Sequence, residues 1–193
     1  AGGAGRPKGR FESNPPPEHC GSFWHKDIYP DQVWLDGLYM GMPVYLQDPA
    51  NAEDAMRQFE TVRRQLWDPE TRLYRHAWDE SRRQEWADPE TGMSPCVWLR
   101  AEGWLLMAFV DCWQLVVQRE HKDRLAELRQ AAVDGLLPYQ DAGTSMFYQL
   151  PDKASEPGNY PETSGSAMAA YALMKGARLG ILPMEYFARG AEI

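Results

Sequence analysis

Hydrophobic residues recur every three or four positions along six stretches of the chain, and this spacing predicts α-helices. The first, third and fifth stretches are apolar around most of their circumference, whereas the second and fourth each have one apolar and one charged side. This alternation is typical of antiparallel helical hairpins in series, with the apolar helices buried as an inner layer. The predicted helices cover about residues 31–46, 52–67, 95–118, 122–137 and 162–179, and a sixth begins near residue 183.

A long loop rich in His, Trp, Tyr and Asp precedes each of the three apolar helices. Two of these loops contain short strand-like segments, at residues 73–79 and 145–150. If the apolar helices form an inner layer, all three loops open at the same end of it. Because functional residues concentrate on loops held by a rigid scaffold, we expect the site at that end.

The composition narrows the class of protein. The chain has 193 residues, 44% of them hydrophobic, which is enough for one domain with a sizeable core. A net charge of −8 argues against binding to nucleic acid or to an anionic membrane surface. No apolar run is long enough to span a bilayer, and we expect a cytoplasmic protein, with the periplasm as the alternative. Eight Trp and nine Tyr suit a core, and they also suit platforms for sugar rings.

The chain has three cysteines, Cys20, Cys96 and Cys112, and they are far apart. Their spacing matches neither a disulfide framework nor a zinc site, and buried or incidental thiols are expected. The sequence also lacks a metal-ligand cluster, a phosphate-binding loop and a nucleophile elbow. We therefore predict no metal and no cofactor.

The two ends of the sequence differ from the rest of the chain in composition and in predicted structure. Residues 1–21 are rich in Gly, Pro and charge and predict a flexible lead-in, followed by one domain over residues 22–193. The first residue is Ala, and the sequence stops within a starting helix. We therefore expect a domain truncated at both ends, whose uncovered apolar faces favour self-association.

Asp36 is the first candidate for chemistry, because it is a carboxylate within an apolar helical run. Apolar surroundings raise the pKa of a carboxyl group and allow it to act as a general acid near neutral pH. The alternative is that Asp36 lies on the polar side of its helix or binds a backbone group. The apolar positions around it are Val33, Trp34, Leu38, Tyr39 and Met42.

Several motifs, in the same order along residues 21–180, resemble the unsaturated rhamnogalacturonyl hydrolases of glycoside hydrolase family 105, which are related to the family 88 unsaturated glucuronyl hydrolases. A shared order of several blocks is more specific than any single block. The blocks are Phe23-Trp24-His25-Lys26, Trp34-Leu35-Asp36-Gly37-Leu38-Tyr39-Met40, Leu73-Tyr74 with His76, Ser94-Pro95 with Trp98 and Arg100, Tyr148-Gln149, Asn159-Tyr160 and Ser164-Gly165-Ser166-Ala167-Met168.

The resemblance implies an all-α fold, a partial (α/α)6 barrel of helical hairpins with short strand-like segments in its long loops. It also implies an oligosaccharide substrate, with a Δ4,5-unsaturated galacturonyl residue from pectin or rhamnogalacturonan. In this family a carboxylic acid protonates C4 of the double bond, and water activated by the same group adds at C5. One acid/base residue therefore suffices, unlike the carboxylate pair of ordinary glycosidases.

The resemblance assigns roles to seven residues. By motif, Asp36 resembles the acid/base, and His25, His76, Trp98 and Arg100 resemble residues that line the sugar pocket. Arg100 offers a two-pronged fork to a substrate carboxylate, and Trp98 offers a face for stacking on a sugar. The two remaining candidates for substrate binding are Trp34 and Glu102, and Glu102 is either a second acidic group in the site or a structural partner of Arg100.

Two other functions remain open from the sequence. The first is a non-catalytic helical-hairpin protein that binds carbohydrate, for which a proton donor at Asp36 is unnecessary. The second is another (α/α)6 sugar enzyme, such as an epimerase, in which His25 and His76 would act as the acid/base pair. The preference between galacturonyl and glucuronyl substrates is also left open by the sequence.

Overall fold

The computed structural model describes residues 21–193, and it places six α-helices there. Residues 1–20 of the predicted lead-in, including Cys20, lie outside the described residues. The predicted all-α fold is confirmed, and so is the number of helices. The helices are α1 (Leu35–Tyr45), α2 (Ala52–Leu66), α3 (Leu99–Leu115), α4 (Arg119–Leu136), α5 (Thr163–Arg178) and α6 (Glu185–Glu192).

Helices α1, α3 and α5 form the inner layer, with α3 between the other two. In the outer layer α2 packs on α1 and α4, α4 packs on α3, and α6 packs on α5. The core follows the predicted pattern, because α3 is buried along most of its length, whereas α2 buries a single side. Within residues 21–193, no helix combines the length and the apolar character that crossing a membrane requires.

Small residues allow α3 and α5 to approach closely. A Cβ atom placed on Gly165 would lie 2.5 Å from Leu99 Cγ, and one placed on Gly103 would lie 2.7 Å from Met168 Cβ. Both distances are too short for carbon atoms, so each helix presents a glycine where the other presents a side chain. This close packing holds the first turns of α3 and α5 side by side.

We expect Gly165→Ala to lower the free energy of unfolding. The added methyl group overlaps Leu99, and overpacking of this kind costs about 1–3 kcal/mol. Better helix propensity offsets roughly 1 kcal/mol of that cost. Chemical denaturation measures the change. Ala167→Gly, on the exposed side of α5, is the control that measures the difference in helix propensity between Ala and Gly in this helix. A stability gain for Gly165→Ala would contradict the close contact.

Two small antiparallel sheets occupy the loops at one end of the inner layer. Strand β1 (Gln32–Trp34) pairs with β4 (Ala77–Asp79), and β2 (Trp67–Asp68) pairs with β3 (Leu73–Tyr74). The predicted strand-like segment at 73–79 is therefore two short strands. The segment at 145–150 makes isolated bridges, Gln140 with Phe147 and Tyr148 with Pro161.

Two helix starts lie about four residues later than predicted, and in both cases backbone pairing is the reason. The first helix begins at Leu35 rather than near residue 31, because residues 32–34 form β1. The third begins at Leu99 rather than near residue 95, since the Ser94 N–H donates to the Ala77 carbonyl and the His76 N–H donates to the Cys96 carbonyl. The third helix also ends at Leu115, three residues early.

Candidate active site

The pairing of β1 with β4 brings Asp36 and His76 together. Trp34 lies opposite Ala77 in this pair, and the Leu35 N–H donates to the His76 carbonyl at 3.2 Å. Asp36 is the next residue, in the first turn of α1. As a result, Oδ2 of Asp36 lies 3.8 Å from Nε2 of His76.

Asp36 and His76 are largely enclosed, with side chains 18% and 21% exposed. Burial lowers the pKa of His76, and the nearby Asp36 carboxylate opposes that effect only in part. The imidazole is therefore neutral at physiological pH. Within the described part of the chain, Asp36 Oδ2 and His76 Nε2 are both buried and neither has a hydrogen-bond partner, so each has an unused capacity for a hydrogen bond.

Three aromatic rings form one wall of the cleft. The His25 ring stacks on Trp34 with 4.6 Å between centroids and 2° between planes, and Tyr29 stacks on Trp34 at 5.5 Å. The edge of His76 meets Trp34 at 5.0 Å. His25 also covers the first turn of α1, since its Nδ1 would lie 3.4 Å from a Cβ on Gly37.

The loop before β1 fixes this wall. The His25 N–H donates to the Gln32 carbonyl at 2.8 Å, and the Tyr29 N–H donates to the Lys26 carbonyl at 2.9 Å. These bonds close a tight loop, which Asp31 completes in the left-handed region with φ of 63°. His25 and Tyr29 are thereby presented together to Trp34.

Trp98 and Arg100 form a second group of side chains next to His76. Trp98 is extended and immediately precedes α3, and its ring meets His76 at 5.1 Å between centroids. The Arg100 guanidinium lies 4.0 Å from the centre of the Trp98 ring, in a cation–π contact. The Arg100 side chain is 36% exposed, so solvent reaches part of it.

Glu162 holds Arg100 and the start of α5 at the same time. Its Oε1 lies 3.7 Å from Nη1 of Arg100, and its carboxylate accepts hydrogen bonds from Ser164 and Gly165 in the first turn of α5. Burial acts to raise the pKa of Glu162, but these hydrogen bonds and the Arg100 charge outweigh it and lower the pKa. Glu162 is therefore ionised and fixes the position of the arginine.

Of the seven residues predicted for the site, the structure places six in one cluster of neighbouring side chains. The exception is Glu102, and its prediction as a substrate-binding residue or as the partner of Arg100 is corrected here. Glu102 follows Arg100 by two positions, so it faces another side of the helix. It is fully buried in the core, where its Oε1 accepts the Tyr74 N–H at 2.5 Å. The partner of Arg100 is Glu162.

Sequence reasoning did not assign Tyr29 and Glu162 to the site. A signal existed for Tyr29, because an aromatic residue lies between His25 and Trp34 in a loop already chosen for the site. Glu162 precedes Ser164 and Gly165 at a helix start, which is typical of a helix cap but does not reveal its pairing with Arg100.

The cleft therefore combines a carboxyl group, a neutral imidazole, aromatic faces and a cation. The carboxyl and imidazole can exchange protons with a bound molecule, the aromatic rings suit the faces of sugars, and the guanidinium suits a carboxylate. Within residues 21–193, no group of three or more His, Cys, Asp or Glu side chains is arranged to hold a metal ion. Cys96 and Cys112 are free thiols.

Comparison with known proteins identifies the family. The sequence model of Glycosyl Hydrolase Family 88 matches residues 11–192, nearly the whole chain. The chain belongs to Glycosyl Hydrolase Family 88. The predicted resemblance to the family 105 and family 88 enzymes is thereby confirmed.

Relatives of this family 88 chain include both curated proteins and solved structures. Protein Atu3128 of Agrobacterium fabrum is 40% identical over 152 residues, which cover 76% of this chain and 64% of that protein. The unsaturated rhamnogalacturonyl hydrolase YesR of Bacillus subtilis is 30% identical over 162 residues, 79% of this chain and 43% of YesR.

A family 105 glycoside hydrolase from C. acetobutylicum has a similar structure. The two superpose with a TM-score of 0.87 at 41% identity, over 94% of this chain and 52% of that one. This likeness confirms the predicted barrel-type helical fold. The family 88 chain thus spans 43% to 64% of the length of these three relatives.

Proposed function

We propose that the protein carrying this chain hydrolyses oligosaccharides that begin with an unsaturated uronyl residue, by adding water across the C4=C5 double bond. The observation that carries the proposal is the Asp36 carboxyl group, 3.8 Å from a neutral His76 imidazole in a cleft that ends at Arg100. Family membership supports the same chemistry. The name of YesR supports a rhamnogalacturonan-derived substrate in particular.

Asp36 would serve both steps of the reaction. As a carboxylic acid it gives its proton to C4, which leaves positive charge at C5 that the ring oxygen shares. As a carboxylate it then takes a proton from water while the water oxygen bonds to C5. The resulting hemiketal opens the ring, and the second sugar leaves from C1 with the proton restored to its oxygen. One acid/base group is sufficient because it ends the cycle in the form in which it began.

His76 and Arg100 would hold the substrate in place for this transfer. A neutral imidazole accepts or donates a hydrogen bond at a sugar hydroxyl without adding a second positive charge beside Asp36. The Arg100 fork matches the two oxygens of the uronyl carboxylate. Because Glu162 and Trp98 fix the guanidinium, little conformational freedom is lost on binding.

We expect Arg100→Lys to weaken substrate binding more than it slows turnover. Lysine keeps the charge but loses the second donor of the fork and the flat contact with Trp98. We expect KM to rise by about 10–100-fold, since each 1.4 kcal/mol lost is tenfold in affinity. Steady-state kinetics measure the change, and Arg57→Lys on the outer surface of α2 is the control. An unchanged KM would remove Arg100 from carboxylate binding.

A direct assay tests the function itself. The full-length protein is mixed with an unsaturated rhamnogalacturonan disaccharide, and the absorbance of the double bond is followed. We expect the absorbance to fall as water adds, and an unsaturated glucuronyl disaccharide in parallel reports the sugar preference. A stable absorbance with both substrates, in a protein that is folded by circular dichroism, would overturn the proposal.

A further inference from the structure

A short β-hairpin lies over the ends of the inner helices, beside Arg100. The Glu162 N–H donates to the Phe147 carbonyl at 2.8 Å, and the Gln149 N–H donates to the Tyr160 carbonyl at 2.9 Å. Phe147 is therefore opposite Glu162, and Gln149 is opposite Tyr160. Since alternate side chains of an extended strand share a face, all four lie on the same face of the hairpin.

This face of the hairpin rests on the first turns of α3 and α5. Phe147 is fully buried in the core, and Glu162 caps α5 and pairs with Arg100. The Leu99 N–H at the start of α3 donates to the Gln149 carbonyl at 2.9 Å. The Gln149–Tyr160 pair is thus the next pair on this face after Phe147–Glu162, and it lies beside the first residue of α3.

The Tyr160 ring is exposed and yet held in place. Half of the residue is accessible to solvent, and its hydroxyl donates to Oε1 of Gln149. Asn159 fixes the adjoining turn, because its side-chain amide bonds the backbone of Leu150, Lys153 and Tyr160. An aromatic ring that is fixed but contributes little to the core suits contact with a ligand.

We propose that Tyr160 and Gln149 form a second sugar subsite, which binds the residue attached to the unsaturated uronyl group. The proposal rests on the function proposed above, since Arg100 places the uronyl carboxylate and the next sugar extends outward from it. The Tyr160 face contacts the C–H face of this sugar. The Gln149 amide NH₂, which has no partner among the described residues, donates to a hydroxyl. Neither side chain is charged, so a neutral sugar ring fits.

Two substrates separate this subsite from the catalytic cleft. One is the unsaturated rhamnogalacturonan disaccharide, and the other is the methyl glycoside of the same unsaturated uronic acid, which lacks the second sugar. In the full-length protein we expect Tyr160→Ala to lower kcat/KM about tenfold for the disaccharide and to leave the methyl glycoside unchanged. Tyr148→Ala, in the same strand but on its other face, is the matched control.

An equal loss with both substrates, or no loss with either, would overturn the subsite. A thermal melt checks that Tyr160→Ala is folded. If it is not, Gln149→Met keeps the length of the side chain but removes the amide, and the same two substrates give the same readout. Failure of the proposed function has a different signature, because the unaltered protein would then turn over neither substrate.

Discussion

Replacing Asp36 by asparagine is expected to lower turnover of the unsaturated substrate by roughly 10²–10⁴-fold, the usual contribution of general acid–base catalysis. The amide has the size of the carboxyl group and still forms hydrogen bonds, but it neither gives a proton to C4 nor takes one from water. The contacts of Arg100 and Trp98 remain, so the affinity for substrate should change little. Because Asp36 is assigned both proton transfers, the loss should lie at the upper end of this range.

Turnover and binding are measured separately for Asp36→Asn, the first by absorbance and the second by calorimetry. Asp27→Asn in the exposed loop before β1 is the matched control and should behave as the unaltered protein does. Turnover of Asp36→Asn within tenfold of the unaltered protein would assign the proton transfer to another group. If both proteins bind the sugar and neither turns it over, the non-catalytic alternative is the better reading.

Replacing Glu102 by glutamine is expected to change how stability depends on pH. Burial raises the pKa of Glu102 from 4.5 to about 8, although the hydrogen bond from the Tyr74 N–H opposes that effect. Below pH 4.5 the group is protonated in both the folded and unfolded states, and its contribution is fully present. As pH rises from 4.5 to 8, the unfolded chain releases the proton first, and stability is lost.

The glutamine amide does not ionise, so the variant lacks this loss. At pH 7 we expect its free energy of unfolding to exceed that of the unaltered protein by about 3 kcal/mol, whereas at pH 4 the two should be nearly equal. Denaturation curves between pH 4 and pH 8 measure the difference, with Glu70→Gln at an exposed turn as the control. A difference that is independent of pH would show that Glu102 does not titrate as proposed.

Local patterns predicted most of the helices, because apolar periodicity reports directly which face of a helix is buried. These local patterns failed where hydrogen bonds to a distant segment determine the backbone conformation. Residues 32–34 continue a helical pattern, but pairing with 77–79 extends them into a strand. Helix α3 starts later than predicted for the same reason, since residues 94–96 form hydrogen bonds with the backbone around His76.

The contrast between local patterns and distant contacts also explains which site residues the sequence predicted and which it missed. Asp36, His76 and Arg100 were predicted because loops before buried helices concentrate functional side chains and because the motifs match a family. The burial of Glu102 was predictable from the sequence, because it follows Arg100 by two positions on a helix and therefore faces the core. The pairing of Arg100 with Glu162 joins residues that are 62 positions apart, and no local pattern contains that contact.

The pairing of β1 with β4 also determines at which positions homologues can tolerate insertions and deletions. Residues 80–92 leave β4 and return to it, so insertions at the far end of this loop leave the separation of Asp36 and His76 untouched. Deletion of Ala77, the residue after His76, has the opposite effect, because a shift of one residue turns the next side chain to the other face of the strand. Homologues should therefore vary in length between residues 82 and 90 and keep a constant spacing from His76 through β4.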